Sequence, residues 1–334
     1  MSDPNPGFPP PPAPPLPKVE EQGPRPLKLR PPAIVLFVLG IIILLAGVAK
    51  ILPGGFMTGV AFAIWGILLF AFSFIRLPPT TGAEEPPLSG IQKLTGIFYE
   101  PTRVFRNLRV HPHWLAALLV IGIASAVYTA AFTQRLTAER IVTHAMDSLE
   151  QSPIKPPPEK IEQMRDTNLQ AAKQPVQRVQ TAAKTFVGWF AAASFVAALC
   201  FLGVLAFGGR INFWQAFAAV LYSWLPGIVI TKVVSLVILY IKAPEDIHPT
   251  LNQDTLLQDN LGILFTPIDH PALFVLGSFI GVLSFYGLWL KARGLQNAGQ
   301  KVSSSAAWGV AITLWVLSLI VLMIFATLFS SFMA

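Results

Sequence analysis

Ile91–Phe132 reads IQKLTGIFYEPTRVFRNLRVHPHWLAALLVIGIASAVYTAAF, a basic amphipathic half running straight into an apolar half. In the first half Leu94, Ile97, Phe98, Phe105 and Leu108 fall near one helical face, and Arg103, Arg106 and Arg109 lie on another. Pro101 is expected to start a second short helix, because proline is tolerated in a first turn. Such a segment is predicted to lie in the headgroup layer with its arginines against anionic lipid. The alternative is a stop-transfer charge cluster that fixes orientation and nothing else. The second half, from Trp114 to Phe132, is long enough to cross a bilayer.

Composition agrees with that solvent. The chain has 334 residues, 53% hydrophobic and 12% charged, with a mean hydropathy of +0.59. Soluble domains carry roughly a quarter charged residues, so too little polar surface is present here for a water-soluble fold. The net charge of +7 does not require a nucleic-acid partner, since lysine and arginine gathered on cytoplasmic loops give the same total. Cys200 is the single cysteine. An intramolecular disulfide and a cysteine-built zinc site are thereby excluded, and a small packing role is expected for it.

Toward the amino end, residues 1–32 hold 13 of the 30 prolines and are expected to form a disordered, extended tail. Pro9/Pro12 and Pro14/Pro17 have the spacing that aromatic-lined grooves read. Residues 33–75 read as a two-span helical hairpin, Ala33–Leu52 and Gly55–Ile75, turned at Pro53-Gly54. Residues 76–90, RLPPTTGAEEPPLSG, form a proline-rich linker and the domain boundary.

Toward the carboxyl end, residues 91–334 read as a five-span domain. Thr133–Lys184 is a polar insertion with two helical stripes divided by Pro153 and Pro156–Pro158. It is predicted to be a projecting helical hairpin outside the membrane, its return arm kinked at Pro175. Phe186–Phe207 is the next span. Phe213–Ile241 is too long for one upright helix and too short for two, and Pro226-Gly227 should kink or break it. Ala272–Leu290 and Trp308–Phe329 complete the set, with Lys291, Arg293 and Lys301 between them. The predicted fold is an all-α polytopic membrane protein of seven transmembrane helices.

The residue types that carry chemistry are sparse. Lys232 is an ionisable group inside a span, which is costly and often functional, although tilting or snorkelling would also satisfy it. With Pro226 and Gly227 it forms a candidate intramembrane polar site, since a broken span frees carbonyls for ions. Transporters of that kind show paired interruptions, and no second one is visible in the sequence. Asp254 and Asp259 lack calcium-loop spacing, and His111 and His113 lack that of helical zinc ligands. No nucleotide, hydrolase or metalloprotease motif is present. No catalytic residue, cofactor or metal is therefore assigned, and an enzyme is not expected.

FYEPTRVFRNLRVHPHW at 98–114, INFWQAFAAVLYSWLPGIV at 211–229 and QDTLLQDNLGILF at 253–265, followed by two spans around KARGLQNAG, resemble the Yip family of five-span, Rab-interacting-type membrane proteins, over about residues 94–329. The Asp-Leu-x-Gly-Pro type motif of eukaryotic members is missing and two spans are added, so the chain is similar to a bacterial branch. The resemblance implies the five-span fold and no functional residue. It implies a non-enzymatic organiser or scaffold, with the bilayer and other membrane proteins, or itself, as partners, in a bacterial plasma membrane. A small transporter or channel at Lys232 is the alternative. The arginine cluster at 103–109 and the basic flanks at 291–301 put the amino terminus in the cytoplasm and the carboxyl terminus outside.

Overall fold

The computed structural model describes residues 25–26, 30–49, 59–60, 62–63, 66–67, 70, 76–77, 86–150, 156–173, 175–267 and 269–328. The expectation for the proline-rich tail lies almost wholly outside them. The chain divides into two compact units, Met1–Thr81 and Gly82–Ala334.

In the first unit, α1 (Arg30–Val48) is a continuous apolar helix. It meets the helical residues between 59 and 70 in antiparallel register. A Cβ on Gly66 would strike Phe37, one on Gly40 would strike Ala63, and one on Gly59 would strike Leu44. Glycines at such points let two apolar helices approach backbone to backbone. A two-residue antiparallel pair, Arg25–Pro26 with Arg76–Leu77, lies in the same unit.

The second unit is helical nearly throughout. α2 (Gly90–Tyr99) starts with a capping box between Ser89 and Gln92. α3 (Pro101–Val110) has Pro101 in its first turn, as expected. α4 (Leu115–Leu136) follows, and then α5 (Ala138–Glu150) and α6 (Pro158–Lys173), which pack together as a hairpin. Arg165 bridges back to Asp147 at 2.8 Å across it. The described residues of the Thr133–Lys184 insertion are thus largely helical, with α7 spanning Pro175–Ala206.

α8 (Phe213–Ile241) is the central post, capped by Asn212 and Gln215 and packed against α4, α7 and α10. Its first half is buried from Phe213 to Tyr222 apart from Trp214. Rings from three helices close around it, with Trp114 stacked on Trp214 at 5.9 Å and edge-on to Phe217 at 5.2 Å. Of the kink or break expected at Pro226-Gly227, the break does not occur: α8 runs on through Pro226 for 29 residues.

The break falls elsewhere. The expected span Ala272–Leu290 is two helices, α9 (Pro271–Phe279, 9 residues) and α10 (Val282–Ala298, 17 residues). Ile280 and Gly281 leave the helix and pair with the preceding loop, through an Asn260–Gly281 bridge and a Leu261 N–H donated to the Ile280 carbonyl at 3.1 Å. Because α10 continues to Ala298, Lys291 and Arg293 lie within a helix and not in a loop between spans. α11 (Ser304–Leu328) ends the described chain.

Of the seven expected crossings, four are helices long and apolar enough among the described residues: Leu115–Leu136, Ala183–Ala206, Phe213–Ile241 and Ser304–Leu328. The other three expected spans are not among these, for separate reasons. The apolar part of α1, Ala33–Val48, is short. Most of 55–75 lies outside the described residues. The segment from 271 onward is interrupted at Ile280–Gly281.

Candidate functional site

α8 turns Trp224, Gly227, Ile228, Thr231 and Lys232 toward one side, the i, i+3, i+4 row of a helix face. α10 turns Ser284, Gly287, Leu288 and Lys291 toward the same space in the same rhythm. Trp189 of α7, Trp315 of α11 and loop residues Asp254 and Thr255 complete the walls. They line an open cavity of about 630 Å³, well within the size of small-molecule pockets.

Lys232 is 8% exposed. Its Nζ donates to the Asp254 carbonyl and lies 4.7 Å from the centre of the Tyr128 ring. Tyr128 in turn donates its hydroxyl to the Asn252 carbonyl at 2.7 Å. Ser235, one turn beyond Lys232, accepts the N–H groups of Leu256 and Leu257 at 3.0 and 3.1 Å. The loop from 252 to 257 is thus strapped onto α8, and the strap leads directly to the break at Ile280–Gly281.

Of the residues singled out from the sequence, Lys232 and Gly227 meet at this cavity. Pro226 is buried in α8 and does not line it. Lys291, Gly287 and Ser284 were missed, because a broken sixth span was not legible and Lys291 read as a flanking charge. Trp315 and Ser284 are joined by an N–H to hydroxyl bond of 3.2 Å.

The basic helices split their arginines. Arg103 and Arg106 are exposed, Arg103 pairing with Glu100 at 3.0 Å. Arg109 instead donates through Nε to the Asn297 carbonyl at 3.0 Å, while Gln215 donates to the Arg109 carbonyl at 2.6 Å. That arginine ties α3 to the carboxyl end of α10 and the start of α8. Lys93, also missed, is fully buried and donates to the His111 carbonyl at 3.0 Å. Burial pulls its ammonium down to about 8. Burial, with Lys93 and His111 nearby, also lowers His113.

At the other end of the bundle lies an open polar cleft, also of about 630 Å³, between α5 and the segment 245–249. Arg140 holds its two sides together, donating to the carbonyls of Pro244, Glu245 and Ile247 at 2.5, 3.2 and 3.3 Å. The His144 and His248 rings meet edge to face at 4.8 Å.

A family model for the Yip1 domain matches residues 95–326. The chain belongs to the Yip1 family. No curated protein and no solved structure matches it. With its four long apolar helices it is an integral, multi-pass membrane protein. The matched region contains the linings of both clefts and all the basic residues of α3.

Proposed function

We propose that this Yip1-family chain is a non-enzymatic membrane organiser that binds other membrane proteins or further copies of itself. The observation that carries this reading is the folded polar platform of α5, α6 and the 244–249 segment, clamped by Arg140. A spacer has no need of such a clamp; a docking surface has, because a preorganised surface loses less entropy on binding. Glu139, Asp147, Glu245 and Asp246 give the cleft an acidic rim. Crosslinking of the full-length protein in native membranes, with and without Arg140→Ala, tests it. A reproducible membrane partner or self-crosslink that weakens in the variant is expected. Failure to capture any membrane protein, a second copy included, overturns it.

The membrane placement follows from charge. Arg109, Arg210, Asn297 and Gln300 come to one end of the bundle through Arg109–Asn297 and the Arg210–Gln300 bridge. The Arg140 cleft is at the other. We place the basic end, with Arg103 and Arg106 on lipid headgroups, in the cytoplasm, the amino terminus with it and the carboxyl end outside, in a bacterial plasma membrane. Ser304→Cys protected from an impermeant reagent in intact cells, with Thr167→Cys reactive, is expected. The reverse pattern sinks the orientation.

A small transporter or channel is the second reading. It is favoured by the cavity touching Lys232 and by the interruption at Ile280–Gly281, where non-helical backbone lies at bundle depth. Flux and growth left unchanged by Lys232→Met would remove it.

A further inference from the structure

Lys291 lines the cavity in α10, about two turns before that helix ends. Among the described residues it has no hydrogen-bond or ion-pair partner. An amine without a partner inside an apolar bundle is expensive. Lys232 is already engaged by the Asp254 carbonyl and the Tyr128 ring. The two amines are well separated. Gly294 of α10 lies level with Ala219 of α8, 3.4 Å from a built Cβ. Counting along both helices then sets Lys291 about 15 Å from Lys232 along the bundle axis. Asp254, a carboxylate of the lining, is at the Lys232 end, so no carboxylate neutralises Lys291, which has the buried Cys200 side chain as its electrostatic neighbour.

The wall between the two lysines has been kept open. Gly227 and Gly287 are helix-interior glycines, each disfavoured against alanine by about 1 kcal/mol. Two other helix glycines admit a neighbour: Gly203 would meet Val310 at 3.0 Å and Gly294 would meet Phe105 at 3.1 Å. A Cβ on Gly227 or Gly287 meets nothing within 4 Å. Their missing side chains make room in the cavity and serve no helix contact. The surrounding surface is mixed: tryptophan, isoleucine and leucine side chains share it with Ser223, Thr231, Thr255 and Ser284. Trp189 is spent on Ser125 and Trp315 on Ser284 through their N–H groups, and with Trp315 also packed on Phe279 and Phe285 and Trp189 on Trp224, the rings form a fixed apolar part of the wall.

We propose that this cavity binds one amphiphile with an anionic head, phosphate or carboxylate, its head on Lys291 and its apolar body along the Gly287–Gly227 wall between the tryptophans. The assignment goes beyond the organiser and transport readings, since it concerns binding alone and stands without either. A zwitterionic head is disfavoured because no carboxylate lies beside Lys291 to take its cation. Free phosphate is disfavoured because it leaves the tryptophan and aliphatic part of the wall uncovered.

Native mass spectrometry of the full-length protein in non-ionic detergent tests the site, with separate titrations of phosphatidylglycerol, palmitate, phosphatidylcholine and inorganic phosphate. One phosphatidylglycerol or palmitate per chain should be retained about tenfold more strongly than phosphatidylcholine. Which of the two is held better identifies the head. Lys291→Met should weaken retention about tenfold, and Gly287→Leu should abolish it without lowering the thermal midpoint. Lys242→Met, exposed at the end of α8, should change nothing. Should Gly287→Leu fail to fold, Lys291→Met decides. Equal retention of phosphatidylcholine, indifference to Lys291→Met, or displacement of lipid by inorganic phosphate would each overturn the proposal.

Discussion

α8 and the segment Pro271–Ala298 respond in opposite ways to the same threat. α8 carries a proline at its middle and stays whole over 29 residues. The later segment has no proline between Ala272 and Ala298 and breaks at Ile280–Gly281. Pro226 lacks an N–H, so the Tyr222 carbonyl loses its partner one turn on. Nothing adjacent offers the remaining backbone groups of α8 a better bond, and the helix continues. At Ile280–Gly281 the preceding loop does offer one. Leu261 donates to the Ile280 carbonyl, and the Asp259 carboxylate accepts the Leu283 N–H at 2.8 Å, capping α10. In an apolar surrounding every freed backbone group needs a replacement partner. The break therefore forms where a replacement exists, and a helix breaker alone does not decide it.

The largest expected effect attacks the break. A Cβ on Gly277 would sit 2.7 and 2.8 Å from the Gly262 N and Cα, a backbone contact that cannot yield cheaply. Gly277→Val should lower stability by about 3 kcal/mol, read as the thermal midpoint in detergent. A neutral result would mean the loop does not hold α9 at this distance. Next is the strap. Ser235→Ala leaves the Leu256 N–H without its acceptor and should lose about 2 kcal/mol, with faster amide exchange in 252–260 but not in α8.

Pro226→Ala should move the other way. It returns a donor to the Tyr222 carbonyl, worth up to about 3 kcal/mol in helix propensity, against the packing of a buried ring, for a net gain of about 1 kcal/mol. A net loss would show that the proline shapes α8 after all. Asp259→Ala removes the cap on α10 and should cost about 1 kcal/mol.

A last comparison sets Lys232 beside Lys93, two buried amines that each donate to a carbonyl. Lys93 titrates at about 8 in the folded protein against 10.5 unfolded. Between those values the unfolded chain holds a proton that the folded one has shed, so stability rises as pH rises through that window. Lys93→Met should flatten the rise. A midpoint that falls over the same range with Lys93 present contradicts the burial.

Much of this architecture was legible in the residues. The apolar runs behind α4, α7, α8 and α11 are long, and Pro101 marks the start of α3 because its fixed φ suits a first turn. Alternating apolar stripes foretold helices on both sides of Pro153–Pro158. The site was half legible. Lys232 stood out as a charge in an apolar run, and Gly227 as its neighbour. Lys291 did not, because a lysine after an apolar stretch reads as the end of a span, and only the continuation of α10 to Ala298 draws it inward. Lys93 escaped for the same reason, since periodicity cannot say that its amine meets the His111 carbonyl.

By itself the sequence determined the solvent, the helical class and the Yip1 relationship, because hydropathy and run length are local sums that survive any packing. Tertiary structure decided where the chain breaks, which lysines are engaged and where the bundle is hollow. Those depend on distant partners: Asn260 on Gly281, Asp254 on Lys232, and the empty space opposite Gly227 and Gly287. A freed carbonyl, a buried amine and a missing side chain each acquire their meaning from what the rest of the fold brings, or fails to bring, against them.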